Sequence, residues 1–265
     1  MYHAKNGRIC DTDYVRFGNG EKILVILPGL GDGLRTVKGT ALPLAAAYRA
    51  FAKSHTVYAF SRKDTLPEGY STREMARDLR ESMDALGIEC ADVLGVSMGG
   101  MIAQWLAIDH GEKVNNLVLT VTSAAPNPIL LEAVDEWVEC ARRGDHAALM
   151  ESNLRRIYSE TYYRKNKWMI PLTGLLTKPK SYDRFLLLAA ACKTHHAAAE
   201  LANISARTLV MGGEKDLSLG GDASRELAAA IGGAKLKMYD DLGHGLYDEA
   251  KDFQQTVLEF LLTTD

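Results

Sequence analysis

The chain has 265 residues, of which 47% are hydrophobic and 25% are charged, and this length and composition are typical of one globular domain with a large buried core. The formal net charge of −3 gives no reason to expect nucleic acid or an anionic membrane as a partner. No stretch approaches ~18 unbroken apolar residues and the first residues lack an apolar leader, so we expect neither a membrane span nor a signal peptide. The four cysteines form no C-x-x-C pair, which favours a reducing, cytoplasmic compartment.

The first part of the chain alternates between patterns typical of strands and of helices. Strands are predicted where apolar residues run together or alternate, and helices where they recur at a spacing of three and four. A serine or threonine before such a helix is a preferred cap. In chain order, the predicted elements are an edge strand or hairpin over 8–17 with a turn at 18–20, a strand over 23–27, a helix over 39–53, a strand over 56–60 and a helix from 71 or 72 to 86.

A glycine-rich loop, Leu27-Pro28-Gly29-Leu30-Gly31-Asp32, follows the most apolar predicted strand. Gly29 and Gly31 would let the backbone approach a bound substrate closely, and the backbone N–H of Leu30 could stabilise negative charge that develops on a substrate oxygen. A phosphate-binding loop is the alternative, but the segment lacks both the G-K-[ST] ending of a P-loop and the G-x-G-x-x-G of a dinucleotide site. We therefore interpret the loop as one half of an oxyanion hole.

The most informative motif is Gly95-Val96-Ser97-Met98-Gly99, which lies between a predicted short strand (91–94) and a predicted helix (101–107). A Gly-x-Ser-x-Gly at a strand-to-helix junction is typical of a nucleophile elbow, a turn so tight that the serine backbone is strained and its hydroxyl is lifted out of the sheet. Side chains at the two glycines would collide with the turn. The N–H of Met98, at the start of the helix, is the second candidate donor of the oxyanion hole. A chance match in a glycine-rich chain is the alternative, and the flanking strand and helix argue against it.

The alternation of strands and helices stops after the predicted strand 117–121 and resumes near residue 201. In between, helices are predicted over 129–142, 146–158 and 182–193, with no convincing strand. We interpret this stretch as a helical insert that covers the site, and we name Trp137 and Trp168 from its apolar side chains as candidates for the substrate pocket. The competing interpretation is that the insert extends the core and leaves the site open to solvent.

A carboxylate follows the next predicted strand, 208–211, in the run Gly212-Gly213-Glu214-Lys215-Asp216. A carboxylate at this position could accept a hydrogen bond from a histidine ring and fix the tautomer of that ring. We assign this role to Asp216, with Glu214 and Asp222 as nearby alternatives.

The general base is assigned to His244, in a glycine-flanked loop after the predicted strand 234–239. Such a loop lets the ring reach a serine at the end of another strand. His195 and His196 end a helical run, where they complement the helix dipole, and they have no cysteine or carboxylate at metal-ligand spacing, so no metal site is predicted. The remaining four histidines are interpreted as surface groups: His3, His55, His110 and His146.

These motifs, in this order along the chain, resemble those of the α/β-hydrolase superfamily in its small single-domain form with a helical cap. The resemblance spans essentially the whole length and implies an α/β fold with a mainly parallel sheet covered on both faces, a core of residues 1–124 and 201–265, and a cap over 125–200. Two positions depart from the family pattern, namely Pro28, where many relatives carry histidine, and Arg207, where relatives often have proline. The resemblance to the superfamily rests on four motifs: Leu27–Gly31, Gly95–Gly100, Met211–Asp216 and Leu242–His244.

The residues and the resemblance together imply a serine hydrolase. Ser97 would attack the carbonyl carbon of a small, uncharged ester, thioester or lactone, His244 would act as base and then as acid, and Asp216 would orient the imidazole. We expect neither a metal nor an organic cofactor, and the expected partner is a small-molecule substrate, whereas the oligomeric state stays open. The fold also hosts hydrolases of carbon–carbon bonds and ligand sensors that keep the three residues with little turnover, and both alternatives stay open.

Overall fold

The computed structural model describes residues 3–263, and in this part of the chain eight strands form one sheet. The strands are β1 (Lys5–Ile9), β2 (Thr12–Phe17), β3 (Lys22–Leu27), β4 (His55–Lys63), β5 (Ala91–Val96), β6 (Val114–Thr120), β7 (Arg207–Gly213) and β8 (Lys235–Tyr239). Their order across the sheet is β1-β2-β4-β3-β5-β6-β7-β8. Strands β3 to β8 run parallel to one another, whereas β1 and β2 join one edge as antiparallel neighbours. The predicted α/β fold with a mainly parallel sheet is confirmed.

Helices cover both faces of the sheet. Neighbouring residues of β5 belong to two separate apolar clusters, Val93 to the cluster that contains helices after β4 and β5, and Leu94 to the cluster on the other face. This alternation is what a strand buried on both faces requires. The helices in the described residues are α1 (Ala41–Ala47), α2 (Thr72–Ala85), α3 (Met98–Asp109), α4 (Pro128–Arg142), α5 (His146–Ile157), α6 (Glu160–Asn166), α7 (Ile170–Thr177), α8 (Asp183–Lys193), α9 (Asp222–Ala230), α10 (Leu246–Glu249) and α11 (Phe253–Leu262).

The N-terminal edge of the sheet differs from the prediction in the position of its turn. Strands β1 and β2 form a hairpin, and its two turn residues, Cys10 and Asp11, have φ values of +47° and +61°. With positive φ at both positions, the backbone of the turn has a twist that matches the right-handed twist of the flanking strands. The glycine turn at 18–20 instead leads out of β2 towards β3, and β2 pairs with β4.

The boundaries of the first two helices show why one prediction is better than the other. Helix α2 begins after Ser71, whose hydroxyl accepts from the N–H of Glu74 while the Glu74 carboxylate accepts from Ser71, and this capping box fixes the start that the sequence predicts. The predicted helix over 39–53 ends already at Ala47. Beyond it the chain tightens into turns in which N–H groups bond carbonyls three residues back, as from Phe51 to Tyr48, and so reaches β4 within a short distance.

Between β6 and β7 the chain forms five helices, α4 to α8, and no strand. Two of them, α6 and α7, lie outside the predicted helices, because both are short and carry no long amphipathic pattern. The insert packs into the core of the sheet, since Leu130, Leu149 and Phe185 are almost fully buried in the same apolar cluster as Val93. Among residues 3–263 we find no helix that is both long and apolar enough to cross a membrane.

Candidate active site

The turn between β5 and α3 has the strained geometry predicted from its sequence. Ser97, the single residue between these elements, has a φ of +54° and a ψ of −121°, a conformation that L side chains rarely adopt. Neither flanking glycine has room for a side chain: a Cβ at Gly95 would stand 2.6 Å from the Cα of Gly100, and one at Gly99 would stand 2.0 Å from the carbonyl oxygen of Leu27. The turn therefore presents the half-buried Ser97 side chain at the carboxyl end of the sheet.

Ser97, His244 and Asp216, which we call the triad, form a continuous hydrogen-bonded chain. The Oγ of Ser97 lies 3.0 Å from Nε2 of His244, and Nδ1 of His244 lies 2.8 Å from Oδ2 of Asp216. Because an ionised carboxylate only accepts hydrogen bonds, Nδ1 carries the proton of a neutral ring, and Nε2 is left to accept from the serine hydroxyl. The second oxygen of Asp216 accepts from the N–H groups of Ser218 (2.7 Å) and Leu219 (2.9 Å), which hold the carboxylate in place.

The structure separates the three carboxylates that the sequence left as candidates. Only Asp216, among these three, lies within hydrogen-bonding distance of the His244 ring. Glu214, the first residue after β7, points away and pairs with Arg225. Asp222 is the first residue of α9. The two-residue difference between Glu214 and Asp216 therefore decides which carboxylate reaches the histidine loop.

Two backbone N–H groups begin helices beside Ser97, as the oxyanion-hole prediction requires. Leu30 is the first residue of a short 3₁₀ helix, Leu30–Gly33, and Met98 is the first residue of α3. The first N–H groups of a helix have no partner within it, so both are available to a ligand. Gly29 lets the loop approach the serine, because a Cβ there would stand 3.3 Å from the Cβ and 3.8 Å from the Oγ of Ser97.

A cavity of about 560 Å³ opens onto Ser97 and His244, a size typical of sites for small molecules. The insert contributes Trp137 of α4 and two residues of α5 to its wall. The structure does not bring Trp168 to this cavity, because that side chain lies in the 3₁₀ helix Lys167–Met169 and is 73% exposed. Most lining side chains are apolar, and the polar ones besides Ser97 and His244 are Asp32, Arg35, Thr36, Thr40, Tyr48, Asn153 and Tyr247.

The polar groups of the cavity differ in charge. Burial raises the pKa of Tyr48 and of Tyr247, and the carboxylate of Asp248 raises both further, so the two phenols stay protonated at ordinary pH. Arg35 is the cation in the lining, and its side chain is exposed. The cavity thus combines a mostly apolar wall with neutral hydroxyl groups, the guanidinium of Arg35 and the carboxylate of Asp32.

A buried charge cluster that the sequence analysis missed holds the glycine-rich loop. Arg184 of α8 donates to Oδ2 of Asp32 (2.6 Å) and to the carbonyls of Arg62 (3.0 Å) and Asp32, whereas the Arg62 guanidinium donates to the carbonyl of Pro28. Burial lowers the pKa of Arg62, and the Asp32 carboxylate opposes that effect. Pro28 is therefore anchored through its carbonyl. The only sequence signal is an arginine inside the apolar run of α8.

His55 and His146, which the sequence analysis placed at the surface, are buried, so those two predictions are wrong. His195 lies just after the end of α8, where it was predicted, but it is buried as well. Sequence context misled because each ring is enclosed by elements that are distant along the chain. Burial lowers the pKa of His195 to about 3 and also lowers that of His146. Within the described residues, no three His, Cys, Asp or Glu side chains come close enough to share a metal ion. The ring partners are Asp92 for His55 (3.1 Å), Thr177 for His146 (3.1 Å) and Thr72 for His195 (2.9 Å).

Known proteins resemble this chain over nearly its whole length. A family model described as the alpha/beta hydrolase fold matches residues 22–251. The 2-hydroxy-6-oxo-6-phenylhexa-2,4-dienoate hydrolase of Comamonas testosteroni is 25% identical over 261 residues, which cover 94% of this chain and 90% of that protein. The 2-hydroxy-6-oxononadienedioate/2-hydroxy-6-oxononatrienedioate hydrolase of Klebsiella pneumoniae subsp. pneumoniae is 27% identical over 257 residues, with 92% and 88% covered.

Solved structures agree with these relatives. The crystal structure of MGS-M2, an alpha/beta hydrolase enzyme from a Medee basin deep-sea metagenome library, superposes with a TM-score of 0.84 at 25% identity and covers 98% of both chains. The relatives and this structural neighbour are hydrolases, so the comparisons support hydrolase activity. The two relatives are named as hydrolases of 2-hydroxy-6-oxo carboxylates, so the bond that this chain cleaves has to be argued from its own site.

Proposed function

We propose that this chain, which belongs to the alpha/beta hydrolase family, is a serine hydrolase that cleaves a small, uncharged ester-type substrate. The observation that carries the proposal is the triad, in which His244 lies 3.0 Å from Ser97 and 2.8 Å from Asp216, beside a cavity of about 560 Å³. A serine with a neutral imidazole acceptor at hydrogen-bonding distance is the arrangement that activates this weak nucleophile. Carboxylic esters, thioesters and lactones all offer the carbonyl carbon that such a serine attacks.

In the acylation step, a bond forms between the Oγ of Ser97 and the substrate carbonyl carbon while Nε2 of His244 takes the hydroxyl proton. The resulting imidazolium is stabilised by the Asp216 carboxylate, which faces Nδ1 at 2.8 Å. The carbonyl oxygen becomes an oxyanion, and the backbone N–H groups of Leu30 and Met98 are the donors that we assign to it. When the carbon–leaving-group bond breaks, Nε2 returns its proton to the departing oxygen or sulfur.

In the deacylation step, a water molecule takes the place of the leaving group. Nε2 of His244 removes one of its protons as the water oxygen attacks the acyl carbon, and the same two N–H groups stabilise the second oxyanion. The bond to Oγ then breaks, the proton passes from Nε2 to Ser97, and the carboxylic acid leaves. Every proton transfer uses the Nε2 position that the tautomer leaves free.

Covalent labelling and turnover test this proposal together. A fluorophosphonate probe is expected to modify Ser97, and a panel of p-nitrophenyl esters is expected to show many turnovers per enzyme molecule. Labelling of another serine would refute the assignment. A single burst of nitrophenol followed by a persistent acyl adduct would instead indicate a ligand sensor that keeps the triad.

The cavity predicts selectivity for acyl length, because an enclosed apolar wall excludes chains that it cannot hold. Esters of increasing length should show a maximum in kcat/KM followed by a fall. Trp137, which lines the cavity and donates from Nε1 to Ser152 at 3.1 Å, is the side chain whose removal should move that maximum to longer chains. Trp168→Ala is the matched control, since Trp168 lies outside the lining. A steadily rising profile would favour an open site over a capped one.

A second candidate is hydrolysis of a carbon–carbon bond next to a ketone in a substrate that carries a carboxylate. Arg35 in the cavity lining favours it, because a guanidinium there could hold a carboxylate. Both relatives described above are named as hydrolases of keto acids that carry one or two carboxylates. Arg35→Ala should lower kcat/KM for an acid-bearing ketone or ester about tenfold or more and leave an uncharged ester unaffected. Arg49→Ala, at an exposed arginine outside the lining, is the control.

We also infer a reducing, cytoplasmic compartment. The four cysteines are all unpaired, with Cys140 and Cys192 buried and Cys10 and Cys90 exposed. Exposed, unpaired thiols suit a compartment that keeps them reduced. Tagged protein should fractionate with cytoplasmic markers in the cell of origin.

A further inference from the structure

One segment of the insert has a charge unlike the rest of the molecule. Residues 164–180, which we call the basic segment, contain five arginine and lysine residues and no aspartate or glutamate. The remainder of the chain has 26 basic and 34 acidic residues. The net charge of −3 therefore hides a local cationic stretch within an otherwise acidic protein. The five cations are Arg164, Lys165, Lys167, Lys178 and Lys180, and all five side chains are exposed.

The same segment exposes large apolar side chains. Trp168 is 73% exposed, Leu172 is 59% exposed and Met169 is 38% exposed. Helix α7, which contains Leu172, has no charged residue in its sequence Ile170–Thr177. A helix without a polar face normally lies in a protein core or against another apolar medium. Leu172 is therefore an exposed apolar side chain on an uncharged helix that is flanked by cations.

The segment is held in position rather than free to fold inward. Thr177 at the end of α7 lies 3.1 Å, Oγ1 to Nε2, from the buried ring of His146, and Nζ of Lys178 donates to the carbonyl of Gly144 at 3.2 Å. Helix α7 packs on α5, which also contributes Asn153 and Ile157 to the cavity beside Ser97. The exposed face and the cavity therefore belong to the same small group of helices.

We propose that the basic segment docks on an anionic lipid surface, with Trp168 and Leu172 inserted at the boundary between headgroups and acyl chains. Tryptophan and leucine on one side and lysines around them are the composition that interfacial protein segments use. Lysine stems can lie along the acyl region while their ammonium groups reach lipid phosphates. Each such cation increases the partition coefficient about fivefold. The assignment concerns adsorption to the membrane surface and does not depend on the proposed function.

Other occupants fit the segment less well. A symmetric contact with a second copy would bring five cations against five cations, which disfavours it. A nucleic acid would satisfy the cations and could stack on Trp168, but it would leave the exposed side chains of Met169 and Leu172 unexplained. An anionic lipid surface accommodates both the charge and the aliphatic side chains.

Tryptophan fluorescence gives a direct test on the chain of 265 residues. Trp105 and Trp137 are only 5% and 7% exposed, so an environmental change at the surface reports Trp168. Vesicles of equal parts phosphatidylglycerol and phosphatidylcholine, in low salt, should shift the emission to the blue, and brominated lipid in the same vesicles should quench it. Vesicles of phosphatidylcholine alone should bind far more weakly, and about 1 M salt should release the protein because charges are then screened within about 3 Å.

Variants distinguish membrane binding through the basic segment from non-specific hydrophobic binding elsewhere on the surface. The triple variant Lys165→Gln, Lys178→Gln, Lys180→Gln should lower the partition coefficient about a hundredfold, and Leu172→Glu should also abolish the blue shift. Leu42→Glu is the matched control, because Leu42 is 72% exposed in α1, outside the segment. Circular dichroism melting of each variant confirms that it is folded, and Trp168→Phe should remove the fluorescence change but leave sedimentation with vesicles.

Three results would overturn the proposal. The first is the absence of binding to anionic vesicles in low salt. The second is equal binding by the triple variant and the unaltered protein. The third is a stronger fluorescence response to a single-stranded oligonucleotide, or a dimer at micromolar concentration in which Trp168 is already protected from iodide quenching. All these experiments measure binding to vesicles, to an oligonucleotide or to a second copy of the chain. Their outcome is therefore independent of whether the triad hydrolyses esters.

Discussion

The molecule contains two serine–histidine–aspartate chains linked by hydrogen bonds, one at each end of its parallel strands. The triad lies at the carboxyl end. At the opposite end, Oγ of Ser54 lies 2.8 Å from Nδ1 of His55, and Nε2 of His55 lies 3.1 Å from Oδ2 of Asp92. We call this second set the amino-end chain. In each chain the nitrogen that faces the carboxylate carries a proton. The two serines differ, because the Ser54 hydroxyl also lies within donating distance of a backbone carbonyl, that of Phe51 at 3.4 Å.

The two chains differ in what surrounds the serine. Ser54 has an ordinary negative φ in the turn before β4, and His55 has no exposed surface. The second oxygen of Asp92 accepts from Asn115 (2.8 Å) and Asn116 (2.7 Å), so the amino-end chain joins β4, β5 and β6. Ser97, by contrast, stands on a strained turn beside a cavity and two helix starts.

This comparison teaches that residue types and distances do not suffice to define an active site. Hydrogen-bond lengths of 2.8 to 3.1 Å occur in both chains. Of the two serines, Ser97 is the one on a strained turn that lines the described cavity, beside the two helix starts that we assign to the oxyanion. We therefore expect the triad to act on substrate and the amino-end chain to act on stability alone.

The largest expected effect distinguishes the two serines. Ser97→Ala should lower kcat for p-nitrophenyl ester hydrolysis by about 10⁶-fold, the loss typical of removing the nucleophile of such a triad. Ser54→Ala should change kcat less than about twofold. Steady-state kinetics, with active-site titration by a fluorophosphonate to correct for enzyme concentration, measure both. Comparable losses in the two variants would show that the amino-end chain also takes part in catalysis.

The two aspartates should separate activity from folding. Asp216→Asn should lower kcat about 10⁴-fold, because an amide in place of the carboxylate favours the wrong tautomer of His244. Asp92→Asn should instead lower the free energy of unfolding by about 1–3 kcal/mol, because the amide leaves buried hydrogen-bonding groups of this chain unsatisfied, and leave kcat of the folded enzyme nearly unchanged.

Glu214→Gln is the control for the triad aspartate, since Glu214 pairs with Arg225 and not with His244. It should leave kcat nearly unchanged. Urea unfolding followed by circular dichroism gives the stability of each variant. A large loss of activity in Glu214→Gln with little in Asp216→Asn would reverse the assignment of the acid.

A third buried histidine, His195, shows how a buried ring behaves when it has no carboxylate partner. The ring of His195 has only neutral partners, the hydroxyl of Thr72 at 2.9 Å and the amide oxygen of Gln104 at 3.4 Å. Burial lowers the pKa of His195 to about 3, below its ordinary value of about 6.5, so the fold favours the neutral ring. The contribution to stability is complete above pH 6.5 and is lost as the pH falls towards 3.

The free energy of unfolding of the unaltered protein should therefore decrease by about 3 kcal/mol from this residue between pH 7 and pH 4.5. The variant His195→Gln should lack this pH-dependent contribution. On acidification, the difference in free energy of unfolding between the unaltered protein and His195→Gln should therefore become smaller or change sign. His110→Gln, at a histidine that is not fully buried, is the control. Parallel pH profiles for unaltered protein and His195→Gln would contradict the expectation. Urea unfolding at several pH values measures it.

The elements that could be predicted from the sequence are those that local rules determine. The elbow at Ser97 follows from two glycines that leave no room for side chains, and the start of α2 follows from the capping box at Ser71. Asp216 was assigned from the sequence with Glu214 left as an alternative, because the choice depends on how the loop after β7 turns towards His244. That is a tertiary property, and no spacing along the chain reports it.

Long-range packing explains what sequence reasoning missed. His55 follows a polar stretch, Lys53-Ser54, and its burial arises only when β4 and β5 flank β3 in the sheet. The tie between Asp32 and Arg184 joins residues more than a hundred positions apart. Trp168 was named with Trp137 on apolar character alone, and only the path of the insert takes one to the cavity and the other to the surface.

The smallest expected effect tests the loop that the amino-end chain lacks. A Cβ at Gly29 would stand 3.3 Å from the Cβ of Ser97, so Gly29→Ala should displace the loop by a few tenths of an ångström and, with it, the N–H of Leu30. We expect kcat to fall about tenfold with little change in KM, since misplacement of this size weakens oxyanion stabilisation without blocking the cavity. At Gly31 a Cβ would meet no atom within 4 Å, so Gly31→Ala should leave kcat unchanged. Both substitutions remove freedom from the unfolded chain to the same extent, and therefore a difference in kcat between them reflects the position of the loop. Equal kcat values in the two variants would show that the Leu30 N–H is not a donor to the oxyanion.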